Sequence, residues 1–269
     1  MTHRSISSST NPTIKDIRKL KQKKYRDAGN MFFAEGVRIV SEAIETSQPI
    51  CQIIYCGEQL TSRHGHEIIE QAERQNIDVI EVPEYIFKSL ADKEGPQGIA
   101  AVIQQQWNDG NLVAKEKGLW IALESVQDPG NLGSIMRSGD AVGAMGIILL
   151  GECTDPFHPT CVRASMGAIF SQKLVKMSYE QLYTLKCMKS MKLIATVSHK
   201  ATHYRDYNYP QDMILLMGSE QKGLPEHYIE ICDVCVHIPM RGNVDSLNLS
   251  NAASVMLFTI RDRQERQTR

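Results

Sequence analysis

The sequence predicts an α/β protein with two domains and a mostly parallel sheet in the second. Short apolar runs alternate with longer segments whose apolar residues recur at helical spacing, which is the pattern of layered α/β folds. A polar stretch from Gln104 to Asn111 interrupts this alternation, and the length of 269 residues suits two modest domains. We therefore predict a first domain over residues 1–106, a linker over 107–117 and a second domain over 118–269.

Composition and charge limit the classes of function. The formal net charge is −1, so any attraction to phosphate must come from a local cluster of cations. Seven cysteines, an odd number without a dense framework, indicate reduced thiols and a cytoplasmic protein. Residues 1–10 lack the apolar core of a signal peptide, and no apolar run approaches the roughly 20 residues of a membrane span. We therefore expect no membrane partner.

The first domain is predicted to alternate helices and strands in a small α/β layer structure. Residues 1–10 are rich in Ser and Thr and are expected to be disordered. Asn11 followed by Pro12 is typical of a helix start. Beyond that first helix, the pattern predicts helices over 35–45, 62–75 and 84–90 and strands over 50–55, 77–82 and 98–103.

The helix that begins near Pro12 is strongly basic. Only Asp16 and Asp27 oppose its cations, and Tyr25 lies among them. A basic helix with an aromatic side chain suits contacts with the phosphates of a nucleic acid, although a solvated charged face would show the same pattern. Because the rest of the chain is slightly acidic, we favour contact with RNA or DNA. The predicted RNA-binding residues of this helix are Lys15, Arg18, Lys19, Lys21, Lys23, Lys24 and Arg26.

The second domain is predicted to be a longer alternation of strands and helices. Its first helix would be capped by Asn131 and would run to about Val142. The last helix carries apolar residues at helical spacing from Leu249 to Ile260. The predicted strands cover 119–123, 146–150, 173–177, 192–197, 214–217 and 234–238, with further helices over 159–169, 179–188 and 225–231.

Polar, glycine-containing loops follow three of these strands. They cover residues 127–133, 218–224 and 239–250. Because ligands of open α/β sheets bind outside the carboxyl ends of the strands, we expect these loops to form the site. The polar residues that these loops and the adjoining helix contribute are Asn131, Arg137, Glu220, Ser246 and Asn248.

Three of these polar residues also have a purely structural interpretation. Ser246 and Asn248 could be caps of the last helix, and Glu220 could be a carboxylate at a helix start. Together with Arg137 they form a set of polar groups that includes one permanent cation. Such a set suits the binding of an anionic substrate beside a small cofactor.

Several common site motifs are missing from the sequence. Gly139, Gly143 and Gly146 have the wrong spacing for a dinucleotide-binding loop, and neither a P-loop nor a G-x-S-x-G elbow occurs. Cys232 and Cys235 form a C-x-x-C without the second pair that a structural zinc site needs. We therefore interpret these thiols as small hydrophobic residues and expect no metal.

Three separated motifs in the second domain resemble those of the SpoU/TrmH-type RNA ribose 2′-O-methyltransferases of the SPOUT superfamily. They are Asp128 to Arg137, Met217 to Leu224 and Ile238 to Ala252, within residues 118–262. Each motif is weak alone, but their order and spacing together are highly specific. The first domain resembles the small ribosomal-protein-like α/β domain, a substrate-binding domain, that many members carry, mainly through Gln97 to Val102.

The resemblance implies a fold, a cofactor and partners. The second domain would form a deep trefoil knot, and two copies would form a homodimer with its active site at the subunit interface. The cofactor would be S-adenosyl-L-methionine, held by the knot loops largely through their backbone. The residues implied in cofactor binding are Met217, Gly218, Ile238, Met240, Leu247 and Asn248.

The implied reaction is methyl transfer to a ribose 2′-hydroxyl of RNA. A separate basic domain favours large-subunit ribosomal RNA over tRNA as the substrate. Arg137 would clamp the adjacent phosphate and stabilise the alkoxide, because a guanidinium stays protonated and cannot act as a base. A tRNA 2′-O-methyltransferase, a base-methylating relative and a non-catalytic RNA-binding or ribosome-assembly protein remain the alternatives. The implied catalytic residues are Arg137, Asn131, Glu220, Ser246 and Asn248.

Overall fold

A computed structural model describes residues 3–91, 97–188, 191–198 and 201–267. The chain divides into two compact units, the first made of residues 1–105 and 155–170 and the second of 106–154 and 171–269. The predicted α/β class is confirmed in both units. Within the described residues, no helix is long and apolar enough to cross a membrane.

The first unit contains a mixed sheet. Its strands are β1 (His3–Ser5), β2 (Met31–Glu35), β3 (Ile50–Tyr55), β4 (Asp78–Glu81) and β5 (Ile99–Gln104). Their spatial order is β1-β4-β3-β5-β2. β1, β4 and β3 run parallel, whereas β5 is antiparallel to both β3 and β2. The carboxyl ends of these strands therefore lie at both edges of the sheet.

Helices cover the sheet of the first unit. They are α1 (Pro12–Lys19), α2 (Lys23–Gly29), α3 (Val37–Glu45), α4 (Arg63–Arg74) and α5 (Glu84–Leu90). α1 begins as predicted, because Asn11 Oδ1 accepts a hydrogen bond from Thr13 N at 2.9 Å. Ile14 and Ile17 of α1 are buried in the core with Phe33 and Ile54.

Two predictions for the first domain are wrong, and one strand was not predicted. Disorder is predicted for residues 1–10, but β1 pairs with β4 and Ile6 is buried; Met1 and Thr2 lie outside the described residues. The basic segment forms two helices rather than one, with a break at residues 20–22. The apolar run that begins at Met31 is a strand, which the sequence pattern does not resolve because Phe32 and Phe33 both become buried.

The second unit contains a parallel sheet. Its strands are β6 (Leu119–Glu124), β7 (Gly146–Leu150), β8 (Lys173–Met177), β9 (Lys192–Thr196), β10 (Thr202–His203), β11 (Met213–Met217) and β12 (Val234–His237). Their order is β10-β12-β9-β11-β6-β7-β8, and every pairing is parallel. Within these described strands, all carboxyl ends therefore meet at one edge.

The helices of this half of the chain largely match the prediction. They are α6 (Asn111–Lys115), α7 (Pro129–Ala141), α8 (Pro159–Ser165), α9 (Tyr179–Cys187), α10 (Glu226–Glu230) and α11 (Leu249–Gln267). Asp128, not Asn131, caps α7: its Oδ1 accepts a hydrogen bond from Asn131 N at 2.7 Å. Asn131 thereby lies inside the first turn, and its side chain is available for other contacts.

The segment from Asp155 to Phe170, which includes α8, belongs to the first unit. The sequence pattern assigns it to the second domain, because it follows β7 and precedes β8. Its apolar residues pack on β2, where the Phe157 and Phe32 ring centroids are 4.9 Å apart. Asp155 accepts two hydrogen bonds from the guanidinium of Arg26. These contacts, which join residues far apart in sequence, decide the assignment.

Candidate active site

A cavity of about 350 Å³ lies at the carboxyl ends of β9, β11 and β12. Its position follows from the parallel sheet, which gathers strand-end loops at one edge. The predicted cofactor residues that line it are Met217, Gly218, Ile238, Met240 and Leu247. Glu220 and Ser246, predicted as catalytic residues, also line it. Asn248, predicted for both roles, does not line the cavity. It is connected to the lining residue Glu220 through Asn131.

A tight loop after β11 brings backbone groups to the cavity. A side chain at Gly218 would place its Cβ 2.1 Å from the carbonyl carbon of Gly223, which leaves room only for hydrogen. Gly223 has a φ of +66°, a conformation that glycine adopts without strain. Its N–H donates to Ser219 O at 3.0 Å and closes the loop. The loop therefore needs glycine at both positions.

A chain of side-chain hydrogen bonds joins the three loops. Asn248 Nδ2 donates to Asn131 Oδ1 at 3.0 Å. Asn131 Nδ2 donates to Glu220 Oε1 at 2.9 Å. The other oxygen of Glu220 accepts a longer bond, 3.4 Å, from Gln127 N. The chain connects the loops after β6, β11 and β12 at the rim of the cavity.

The chemistry of these groups sets the direction of the chain. An ionised Glu220 can only accept, so Asn131 must present its amide nitrogen to Glu220 and its oxygen to Asn248. Asn248 must then use its nitrogen toward Asn131, which leaves its oxygen to cap α11. That oxygen accepts from Ser250 N at 2.9 Å and Ser250 Oγ at 2.7 Å. The orientation assigned to the Asn131 amide and the one assigned to the Asn248 amide are therefore consistent with every contact in the chain.

α7 and α11 pack side by side and run in the same direction. Near their amino ends lies the Asn131–Asn248 pair. Further along, the hydroxyl oxygens of Ser138 and Ser254 are 2.8 Å apart. Arg261 Nε donates to the carbonyl at the end of α7 at 2.7 Å. The two helices are thus joined by side-chain contacts along their length.

Arg137 does not line the cavity of its own chain. It lies six residues after Asn131, which is about 9 Å along the helix and about 120° around its axis. Its side chain is exposed and, among the described residues, has no hydrogen-bond or ion-pair partner. One turn beyond Ser254, α11 exposes Phe258, which is 56% accessible. A cation and a large apolar side chain therefore remain uncovered on these two helices.

The predicted RNA-binding helix is divided by burial. Lys15, Lys19, Lys23 and Lys24 are exposed, whereas Arg18 and Lys21 are half-buried. Asp16 pairs with Lys19 at 2.8 Å and Asp27 with Lys23 at 2.5 Å. Tyr25 is 37% exposed, with Lys19 and Lys24 near its ring. The basic surface of α1 and α2, defined by these four lysines, remains available to an anionic partner.

Assigning Arg26 to RNA binding is wrong. Its side chain is 1% exposed and pairs with Asp155, itself 8% exposed. It also donates to Leu20 O at 2.8 Å and Lys21 O at 2.9 Å, so it closes the turn between α1 and α2. The sequence could not reveal this role, because the counter-charge is 129 residues away.

The C-x-x-C thiols are packed as small side chains. Cys232 Sγ donates to Tyr228 O at 3.1 Å, and burial raises the pKa of this thiol to about 12. Burial also raises the pKa of Cys235. Both thiols therefore stay protonated near neutral pH. Among the described residues, no group of three or more His, Cys, Asp or Glu side chains could hold a metal ion.

Sequence reasoning missed one wall of the cavity. The end of β9 contributes Thr196, Val197 and Ser198. Thr196 Oγ1 is buried and has no hydrogen-bond partner among the described residues. The signal in the sequence was a polar break directly after an apolar strand, but only the strand order shows that β9 lies between β11 and β12.

Comparison with known proteins gives matches over nearly the whole chain. Residues 118–258 match the SpoU rRNA Methylase family, and residues 11–101 match the MRM3-like substrate binding domain. The chain is 30% identical to a 23S rRNA (uridine(2479)-2′-O)-methyltransferase of Streptomyces viridochromogenes, over 87% of this chain and 83% of that protein.

Two further relatives are similar over almost their full lengths. The chain is 27% identical to the 23S rRNA (guanosine(2553)-2′-O)-methyltransferase RlmP of Bacillus subtilis strain 168, over 96% of this chain and 99% of that protein. Among solved structures, the AdoMet-bound rRNA methyltransferase of Sinorhizobium meliloti gives a TM-score of 0.88 at 34% identity. That match covers 97% of this chain and 98% of the other.

Proposed function

We propose, from the premise that this chain belongs to the SpoU rRNA methylase family, that it methylates a ribose 2′-hydroxyl of large-subunit ribosomal RNA. The methyl donor is S-adenosyl-L-methionine. The observation that carries this proposal is the cavity at the ends of β9, β11 and β12, with the Asn248–Asn131–Glu220 chain at its rim. The two relatives named above as 23S rRNA methyltransferases support the choice of RNA.

The cavity fits this cofactor in size and chemistry. Its volume of about 350 Å³ is within the usual range for small-ligand sites. Ile238 and Leu247 offer apolar faces to an adenine ring, and Gly218, which has no side chain, lines the cavity beside them. Thr196 Oγ1 is a buried polar atom that a ligand can satisfy. When bound, the cofactor supplies a methyl group on a positively charged sulfur.

The residues of this chain contribute mainly position and charge. The Asn248–Asn131–Glu220 chain fixes three loops at the rim of the cavity, where they would orient a bound ribose toward the cofactor. Both Glu220 oxygens already accept hydrogen bonds, so this carboxylate serves as an anchor of the chain. Ser246 lies on the cavity wall, where its hydroxyl can contact cofactor or ribose.

Arg137 supplies the permanent positive charge. A guanidinium holds its proton under all ordinary conditions, so it clamps the phosphate beside the target ribose and stabilises the developing alkoxide. Because Arg137 does not line the cavity of its own chain and its side chain is exposed, we propose that it acts in a homodimer, with the site at the interface. The exposed Phe258 on the adjoining helix supports an interface there.

Mixing two inactive variants tests the shared site. Arg137→Ala keeps the cavity but loses the cation, and Gly218→Ala keeps the cation but blocks the loop. If Arg137 of one copy serves the cavity of the other, co-refolded mixtures regain up to about a quarter of the wild-type activity, because half of the dimers are mixed and each has one complete site. No recovery, with both variants folded and dimeric, would place Arg137 in its own chain's site.

The exposed lysines of α1 and α2 form the proposed contact with the RNA backbone. The chain as a whole is slightly acidic, so these lysines provide a local attraction to phosphate.

We also propose a cytoplasmic location, which a ribosomal RNA substrate and the seven free thiols support.

We further propose that the second domain forms a deep trefoil knot. The loops after β11 and β12, which line one cavity, support this proposal. An experimental structure in which the chain is not knotted would contradict it.

Mapping ribose methylation in ribosomal RNA, with and without this protein, tests the function directly. We expect one 2′-O-methyl group in large-subunit RNA to disappear when the protein is absent and to return when it is supplied. Digesting the labelled product shows whether the methyl group is on ribose or base. Label in tRNA would indicate a tRNA enzyme, and binding without transfer would indicate a non-catalytic assembly protein.

A further inference from the structure

Gln127 joins two strand-end loops beside the site. It lies between β6 and α7 and does not line the cavity. Its Nε2 donates to Ser125 O at 3.0 Å and to Glu152 O at 2.7 Å. Ser125 follows β6 and Glu152 follows β7, two neighbouring strands of the sheet. Both hydrogens of one amide are therefore used to hold these loops together.

The loop that Gln127 holds is strained. Ser125 has a φ of +51°, a left-handed conformation that costs energy for a residue with a side chain. The facing loop is tightly packed against it, because a Cβ at Gly151 would lie 2.7 Å from Ser125 Oγ. Strained backbone persists where surrounding contacts enforce it. The two hydrogen bonds from the Gln127 side chain are such contacts.

This restraint aims a backbone donor at the site. Gln127 N donates to Glu220 Oε2 at 3.4 Å, and the other oxygen of Glu220 accepts from Asn131. A 3.4 Å bond is long, so its alignment depends on the position of the loop. If the loop moved, Glu220 would lose one of its two partners, and the amide pair beyond it would lose its anchor.

We infer that Gln127 is a positioning residue for methyl transfer. By clamping the loops after β6 and β7, it holds Glu220 and, through Glu220, the Asn131–Asn248 pair in place beside the cavity. This inference rests on the proposed methyltransferase function. The side chain of Gln127 does not line the cavity, so its loss should lower kcat and leave cofactor affinity nearly unchanged.

A double-mutant cycle tests this role. Gln127→Met keeps the length of the side chain and removes its donors, and we expect kcat to fall about 10- to 100-fold, as for a small misplacement of reacting groups. In a Glu220→Gln background the same change should lower kcat less than about threefold, because the shared path is already broken. Equal losses in both backgrounds would overturn the inference.

Controls separate this role from general damage. Gln211→Met removes a similar bond, Nε2 to Gln264 O at 3.3 Å, just before β11 and so at the opposite edge of the sheet; its kcat should stay within about twofold. If Gln127→Met unfolds at a lower temperature than the wild type, Gln127→Glu serves as a second test variant. It replaces the amide donor with an acceptor, and its loss of kcat should also be smaller in the Glu220→Gln background. If the wild type is active and the Gln127 variants have the same kcat, only this inference is contradicted. If the wild type itself transfers no methyl group, the proposed function is contradicted as well.

Discussion

Two polar networks, one in each unit, differ in burial and in what they can do. In the first unit, Arg26 and Asp155 form an ion pair that is almost inaccessible to solvent. In the second, Asn248, Asn131 and Glu220 form a chain of hydrogen bonds at the rim of an open cavity. In the buried pair, all three guanidinium nitrogens of Arg26 already donate to protein oxygens. The hydrogen-bonded chain of the second unit includes Glu220, which lines a cavity that a ligand can fill.

The difference shows that hydrogen bonding alone does not identify a functional residue. A guanidinium that is buried and already bonded to protein oxygens is not accessible to a ligand. Side chains at the carboxyl edge of a parallel sheet combine fixed orientation with access to a ligand. The sheet of the first unit is mixed, so its strand ends are spread over two edges, and its charges lie on the outside of α1 and α2.

The largest effect is expected at the buried pair. Asp155→Ala leaves the guanidinium of Arg26 buried without its counter-charge, which costs about 3–5 kcal/mol of stability. Urea unfolding of the first unit should show this loss. The exposed pair of Lys23 and Asp27 provides the control, because Asp27→Ala should change stability by less than about 1 kcal/mol. Equal losses in the two variants would contradict the difference in burial.

Removing the permanent cation of the site should abolish most of the catalysis. Arg137→Ala is expected to lower kcat about 10²- to 10³-fold, as for other groups that stabilise developing charge. Cofactor affinity, measured by titration calorimetry, should stay within about threefold, because Arg137 does not line the cavity. A parallel loss of both quantities would mean that Arg137 is a structural residue.

The basic surface should affect affinity for RNA more than catalysis. Replacing Lys15, Lys19, Lys23 and Lys24 with Gln should weaken RNA binding and reduce its salt dependence, by roughly one unit of logarithmic slope for each phosphate that is no longer neutralised. Deleting this region is a poorer experiment, because Ile14 and Ile17 belong to the core. Arg63→Gln, at an exposed cation of α4, is the control. An unchanged slope would leave these lysines as a solvated surface.

The smallest effect concerns an acid beside β9 and β12. Burial raises the pKa of Asp233, but hydrogen bonds from Lys186, the Leu193 amide and Lys192 outweigh burial and lower the pKa overall. A lowered pKa stabilises the fold above the unfolded pKa of about 3.9, and this contribution disappears as pH falls through the lower folded value.

Asp233→Asn should therefore destabilise the second unit by about 1 kcal/mol near pH 7 and by less in acid. Urea unfolding between neutral and strongly acidic pH measures the difference between the two proteins. A difference that stayed constant over the whole range would show that the carboxylate charge contributes nothing.

Much of this molecule could be predicted from local patterns. The strands β7 and β8 and the helix α5 begin and end where the periodicity predicts. The loops after β11 and β12 were correctly expected to meet, because parallel strands place their ends together. Patterns failed for β1 and β10, which are short strands that exist only through their neighbours β4 and β12.

The site shows the same division. Glu220 and Ser246 could be placed from glycine-containing loops after apolar strands, and Leu247 through the family resemblance. Gln127 could not, because its contacts with Glu152 and Glu220 join residues that are distant in the sequence. Thr196 could not, because only the strand order places the end of β9 between β11 and β12. The cap of α7 is a smaller case, since Asp128 and Asn131 are both good capping residues and only the backbone geometry selects Asp128.

The sequence by itself determined the α/β class, the two-part organisation and the three loops of the site, because hydrophobic period and turn chemistry are local properties. The tertiary structure decided which cations are exposed, where residues 155–170 pack, and how the amides of Asn131 and Asn248 are oriented. Those depend on burial and on partners far along the chain. A charged side chain acts on a ligand only where the fold leaves it accessible, and local sequence patterns do not determine this accessibility.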